Sequence, residues 1–124
     1  MTLQQLYSMI DGDYAQAIKV MRIDKLVDKH IRKLPANPIF PEMNEAAKTL
    51  DPVRLFESAH AMKGVCSNLG LVKLSALASE IAEEFRPGNP RTVSDDAVIA
   101  KIAQIDAMFK KAAEGIKEYE QSAQ

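Results

Sequence analysis

The chain has 124 residues, which is enough for one domain with a modest core and too short for a two-domain enzyme with a nucleotide fold. Sixteen Lys and Arg residues against seventeen Asp and Glu residues give a formal charge of −1, which argues against binding to nucleic acid or to an anionic membrane. The composition is 47% hydrophobic but only 6% aromatic, with many Ala, Leu, Ile, Val and Met residues. We therefore expect residues 1–124 to form a single all-α domain.

Several kinds of segment and site are missing from the sequence. Cys66 is the single cysteine and has no disulfide partner, no N-terminal segment is typical of a secretory signal, and no apolar run approaches about 18 residues. These features predict a cytoplasmic protein that does not span a membrane. We also expect no metal and no cofactor, because the sequence has neither a phosphate-binding glycine loop nor carboxylates at ligand-like spacing.

Breaks in the apolar pattern divide the N-terminal half into three predicted helices. The first ends at Asp11-Gly12. Asp13 can cap the second, which we expect to continue over residues 13–34 until the prolines of PANP end it. A short helix over residues 43–50 follows. The apolar stripe of the first helix consists of Leu3, Leu6, Tyr7 and Ile10.

The C-terminal half shows three longer amphipathic helices. Asp51-Pro52 supplies a cap and a first-turn proline for a helix over residues 52–69, and Gly70 provides its stop. A second helix covers residues 72–86 before the loop signal RPGNP, and a third covers 95–119 after a cap at Thr92 or Ser94. We expect the tail KEYEQSAQ to fray.

These helices predict an antiparallel, up-and-down four-helix bundle with short additional N-terminal helices. Its walls are expected to be residues 52–69, 72–86 and 95–119, with the long helix over 13–34 as the fourth.

The helix over residues 52–69 contains the stretch AHAMKGVCSNLG, whose two faces differ in chemistry. At about 100° per residue, one face is apolar and is expected to be buried. It consists of Leu55, Ala59, Met62, Cys66 and Leu69. This position makes Cys66 a core residue rather than a reactive thiol. The opposite face presents one compact patch, which consists of Phe56, His60, Lys63, Gly64 and Ser67.

The composition of this patch favours phosphoryl chemistry over structural stabilisation. A glycine within an exposed helix face costs about 1 kcal/mol relative to alanine, so Gly64 is best explained by the close approach of another molecule. The imidazole of His60 offers a nitrogen lone pair near neutral pH, and Lys63 lies where it can offset the charge of an attached phosphoryl group. No second residue completes a hydrolytic triad.

The residues His60-x-x-Lys63-Gly64, with Ser67 and Leu69-Gly70 after them, resemble the signature of histidine-containing phosphotransfer domains of bacterial and fungal two-component phosphorelays. The resemblance extends over residues 59–84. It implies a four-helix bundle in which His60 accepts a phosphoryl group from a receiver-domain aspartate and passes it to another. It also implies that Lys63 steadies the phosphoryl group and that Gly64 keeps the histidine accessible.

The resemblance further implies the partners, which are response-regulator receiver domains or a hybrid histidine kinase, and any Mg²⁺ would lie in the partner's aspartate pocket. We expect the protein itself to act as a monomer. Arg86 matches a basic position seen in some family members and, with Phe56 and Ser67, is assigned to partner docking. Some members use a glutamine to hydrogen-bond the imidazole, but the matching residue here is Ala82.

Two other functions remain open from the sequence. The chain can be a helical module that docks receiver domains without relaying phosphate. Ala82 supports this hypothesis because it replaces the glutamine that hydrogen-bonds the imidazole in some family members. It can also be a catalytic helical domain, although no second catalytic residue supports that hypothesis. His30 lies in the charged run DKLVDKHIRK and is expected to belong to a solvated helix face.

Overall fold

The computed structural model describes residues 1–122, which form seven α-helices and one 3₁₀ turn and contain no β-strand. The all-α prediction is therefore confirmed. In chain order the elements are α1 (Leu3–Met9), α2 (Tyr14–Met21), α3 (Asp24–Lys33), the 3₁₀ turn (Leu34–Ala36), α4 (Ile39–Thr49), α5 (Pro52–Asn68), α6 (Val72–Glu84) and α7 (Asp95–Ser122).

Helices α4 to α7 form the predicted four-helix bundle. Helix α5 packs against α4 and α6, and α7 closes the ring by packing against both α6 and α4. The α4–α5 and α5–α6 connections are short, as expected for antiparallel neighbours, whereas the α6–α7 connection is a longer loop over residues 85–94. The rings of Phe40 on α4 and Phe109 on α7 stack with centroids 3.8 Å apart. Among the fully buried side chains of the shared core are Met43, Leu55, Met62, Ile81, Ile105 and Ile116.

The fourth wall of the bundle is α4, and the expectation that residues 13–34 would supply it is wrong. That segment is divided into α2 and α3 at Arg22, whose φ is +80°. A continuous helix would place Asp24, Lys25 and Asp28 on the apolar stripe of α2, and burying these charged residues would be costly. The chain turns at Arg22 instead, and α1 to α3 pack against α5 and α7.

The predicted helix starts are confirmed by side-chain caps. The carboxylates of Asp13 and Asp51 accept hydrogen bonds from the backbone N–H groups of Gln16 (3.0 Å) and Arg54 (3.2 Å). Of the two candidates for the start of α7, Ser94 is the cap, because its hydroxyl accepts a hydrogen bond from the N–H of Ala97 at 3.1 Å.

The end of α5 is a Schellman motif built on Gly70, as the sequence indicates. Gly70 has a φ of +72°, and the N–H of Leu71 donates to the carbonyl of Cys66 at 2.8 Å. The carbonyl of Gly70 also accepts a hydrogen bond from the N–H of Asp13 at 2.7 Å. The end of the motif helix is thereby joined to the start of α2.

The C-terminal tail does not fray over its described part, contrary to expectation. Helix α7 continues to Ser122, and residues 123 and 124 lie outside the described residues. Tyr119 is buried at 6% exposure and donates a hydrogen bond to the carboxylate of Asp28 at 2.5 Å. This contact holds the end of α7 against α3.

Candidate functional site on helix α5

Helix α5 separates a buried face from an exposed one, as the helical wheel predicts. The five residues predicted to be buried, from Leu55 to Leu69, are at most 3% exposed. His60, Lys63 and Gly64 are exposed, whereas Phe56 and Ser67 are partly buried. The capped start, the Schellman end and the packing against α4 and α6 fix the backbone that holds these side chains.

The imidazole of His60 is bounded on one side by an aromatic ring. The rings of Phe56 and His60 are stacked with centroids 5.6 Å apart and an interplanar angle of 19°. Arg86, two residues beyond the end of α6, places its guanidinium carbon 5.6 Å from the centroid of Phe56. Three of the predicted residues are therefore in one contiguous cluster, although Arg86 comes from the loop after α6.

No hydrogen bond from residues 1–122 holds the imidazole of His60. Ala82, which matches the family's glutamine position, is buried at 2% exposure and has no polar side-chain atom to offer. Both ring nitrogens of His60 are thus without a protein hydrogen-bond partner in this part of the chain. The stacked contact with Phe56 limits the orientation of the ring in place of a hydrogen bond.

Glu83 is a member of the cluster that the sequence analysis missed. Its carboxylate accepts two hydrogen bonds from the guanidinium of Arg86, at 2.6 and 3.2 Å. This contact lowers the pKa of Glu83, and the positive charge of Lys63 lowers it further. The spacing of Glu83 and Arg86 on one helix turn was the available signal. Glu83 therefore interacts electrostatically with both cations of the patch.

The turn of α5 that follows His60 is open on its outer side and tied to α6 on its flank. A Cβ placed on Gly64 would meet no heavy atom within 4 Å. The hydroxyl of Ser75 on α6 donates to the carbonyl of Lys63 at 3.0 Å. Ser67 lies on the same face, about 10 Å further along the helix axis, and is therefore peripheral to the cluster.

The remaining site expectations concern metals, membranes and the thiol. Within residues 1–122, no group of three or more His, Cys, Asp or Glu side chains is placed to hold a metal ion. Over the same range, no helix combines the length and the apolar character needed to cross a membrane. Cys66 is fully buried, and its burial raises the pKa of the thiol to about 12, which suits a packing role.

Comparison with known families gives one finding. A family model described as the Hpt domain matches residues 30–115, well over half of the chain and including all four bundle helices except the end of α7. The chain belongs to the Hpt family. Hpt domains are histidine phosphotransfer modules that act as phosphocarriers in two-component phosphorelays and interact with receiver domains and kinases. No curated protein and no solved structure matches the chain.

Proposed function

We propose that this Hpt domain relays phosphoryl groups between receiver domains, with His60 as the phosphoacceptor. The observation that supports the proposal best is the exposure of His60 at the centre of a rigid helix, beside an open position at Gly64. Lys63 lies one turn further along the same face and supplies a positive charge. This combination leaves room for a partner's active site and partly neutralises the group that it delivers.

The relay requires two nucleophilic steps, one that transfers the phosphoryl group onto His60 and one that transfers it to the next receiver. A ring nitrogen of His60 uses its lone pair to form the N–P bond while the P–O bond to the partner's aspartate breaks. The aspartate then leaves as a carboxylate with the bonding electron pair. In the forward relay, the carboxylate of a second receiver attacks the same phosphorus, and the imidazole leaves. No nucleotide takes part on this chain, and any Mg²⁺ is held by the receiver.

In this proposal Lys63 stabilises the phosphoryl group, Gly64 keeps the approach open, and Phe56, Ser67 and Arg86 contact the partner. Residues 1–124 act as one cytoplasmic, monomeric domain that needs no cofactor of its own. The partners are response-regulator receiver domains, including the receiver of a hybrid histidine kinase.

The direct test is incubation with a receiver domain that carries a labelled phosphoryl group. We expect wild-type protein to take up a label that is acid-labile and alkali-stable, as phosphohistidine is, and His60→Gln to take up none. His30→Gln is the matched control for the labelled position, because it removes the other histidine and should still take up an acid-labile label. Absence of uptake by wild-type protein from every receiver of the source cell would contradict the proposal.

A second candidate function has one specific observation in its favour. The buried Ala82 cannot hydrogen-bond the imidazole, so the chain can also be a module that docks receiver domains without relaying phosphate. Equal receiver affinity of wild type and His60→Gln, together with no transfer, would favour this alternative. Ala82→Gln would then distinguish the two functions, because acquired transfer in that variant would show that the missing contact is the reason.

A further inference from the structure

A groove of about 400 Å³ lies between the C-terminal half of α5, α3 and the 3₁₀ turn. Its apolar lining includes Leu34 and Val65. Its polar lining consists of His30, Lys33, Asn37 and Asn68. The sequence analysis assigned His30 to a solvated face, but the structure places it, partly buried, in this groove.

The polar side chains of the groove all offer hydrogen-bond donors. The side chains of His30, Lys33 and Asn68 form no hydrogen bond or ion pair within residues 1–122. The amide oxygen of Asn37 accepts a hydrogen bond from the N–H of Ile39 at 3.0 Å, so its NH₂ group remains available. No carboxylate lines the groove. Donors next to an apolar floor, without an internal acceptor, are suited to a carboxylate.

Two other grooves contain carboxylates as well as a cation. The groove of about 430 Å³ between α4 and the first half of α5 contains Glu42, Glu57 and Arg54. The groove of about 470 Å³ between α6 and α7 contains Glu80, Glu83, Glu84 and Lys101. Residues 19–33, which include the groove's two basic residues, contain six Lys and Arg residues and two Asp residues, a formal charge of +4 in a chain whose total is −1. The groove therefore adjoins a positively charged segment of the chain, and Lys33 of that segment lines it.

The groove lies within reach of a partner that is docked on His60. Asn68 follows His60 by about 12 Å along the helix axis and is exposed on the flank of α5, about 80° around the helix from His60. A standard protein interface covers about 800 Å² per partner, which corresponds to a radius of about 16 Å around its centre. A receiver domain centred on His60 would therefore reach the edge of the groove at Asn68.

We infer that this groove is a second anchoring site for the receiver domain and takes an Asp or Glu side chain from the receiver's surface beside its phosphorylation site. The inference rests on the proposed function. Lys33 and His30 bind the carboxylate, Asn68 and Asn37 add hydrogen bonds, and the apolar floor excludes water from the contact. The site selects among receivers because one that lacks the acidic side chain leaves these donors unpaired.

The test uses the full chain with His30→Gln and Lys33→Gln combined in one variant. Lys25→Gln is the matched control, because Lys25 is exposed on the same helix and lies outside the groove. Transfer from a phosphorylated receiver is measured at low and high salt, and direct labelling of His60 by phosphoramidate is measured in parallel. We expect the double variant to raise KM for the receiver about five- to tenfold at low salt, with a smaller difference at high salt.

Under the inference, phosphoramidate labelling and kcat at saturating receiver are unchanged in the double variant. A KM equal to that of Lys25→Gln would overturn the inference while leaving the relay proposal intact. Failure of wild-type protein to accept phosphate from any receiver, despite labelling by phosphoramidate, would instead overturn the relay proposal. Equal thermal stability of the three proteins confirms that the comparison concerns docking and not folding.

Discussion

Gly64 and Gly70 belong to the same short stretch of sequence but serve opposite purposes. A Cβ on Gly70 would lie 2.2 Å from the carbonyl oxygen of Asp13, and its φ of +72° is strained for any other residue. A Cβ on Gly64 would meet nothing within 4 Å. The fold of this chain therefore requires glycine at position 70, whereas nothing within residues 1–122 requires it at position 64.

Glu83 and Glu84 repeat this contrast at the end of α6. Glu84 is 9% exposed and accepts hydrogen bonds from the hydroxyl of Thr92 (2.6 Å) and from the N–H groups of Thr92 (2.7 Å) and Val93 (3.0 Å). Glu83 is exposed, pairs with Arg86 at 2.6 Å and is influenced by the charge of Lys63. Adjacent residues are thus divided between holding the loop before α7 and setting the charge around His60.

The largest effect on stability is expected for Gly70→Ala. The left-handed backbone and the overlap with Asp13 together should cost about 2 to 6 kcal/mol of unfolding free energy, because backbone atoms must move to admit the methyl group. Chemical denaturation of wild type and variant measures the difference. Gly64→Ala is the matched control, and equal destabilisation by the two substitutions would contradict the contrast between the glycines.

The sequence predicts the two faces of α5 well, because burial on a helix follows from the spacing of its apolar residues. It does not predict that α4 is a bundle wall, because the choice among amphipathic helices depends on tertiary packing. The turn at Arg22 has neither Gly nor Pro to mark it, and the charged residues Asp24 and Asp28 were the only local sign. Glu83 was missed because its three-residue spacing to Arg86, the one available signal, is common on helix surfaces and does not relate it to Lys63 on another helix.

The second effect concerns the pH dependence of stability at Glu84. Hydrogen bonds from the Thr92 hydroxyl and from the N–H of Val93 lower the pKa of Glu84 from 4.5 to about 2. A carboxylate whose pKa is lower in the folded than in the unfolded state stabilises the fold at every pH above its unfolded-state pKa. For Glu84 this contribution is lost as the pH falls from 4.5 to about 2. Glu84→Gln should therefore be less stable than wild type at pH 7.

The measurement for Glu84 is denaturant unfolding of both proteins at several pH values between 7 and about 2. We expect the difference in unfolding free energy to shrink as the pH falls, because wild type loses a contribution that the variant lacks. Glu80→Gln serves as the control, since Glu80 is exposed and, within residues 1–122, pairs only with Lys101 at 3.0 Å. A difference that stays constant with pH would show that packing, not the charge of Glu84, holds the loop.

A smaller effect, of opposite sign, is expected for Gly64→Ala. Alanine has the higher helix propensity, and its methyl group meets no neighbour, so the variant should gain about 0.5 to 1 kcal/mol of stability. Transfer from a phosphorylated receiver should nevertheless become slower, and Gly64→Gln should slow it further, because each side chain occupies space that the partner needs. Transfer reactions that are quenched at successive times, at equal receiver concentrations, measure these rates. Unchanged transfer in both variants would contradict the role assigned to Gly64.

The smallest effect on stability is expected for Glu83→Gln, because exposed ion pairs contribute about 0 to 1 kcal/mol. The variant instead tests how the negative charge of Glu83 affects the phosphorylation of His60. Removing the carboxylate takes a negative charge away from the phosphoryl group and leaves Lys63 and Arg86 uncompensated. The equilibrium should then shift toward phosphorylated His60 by about two- to fivefold, as ³¹P NMR of a mixture with a receiver can measure. Glu80→Gln removes the same charge one turn earlier on α6, so an equal shift in that control would assign the effect to net charge and not to the Lys63–Glu83–Arg86 arrangement.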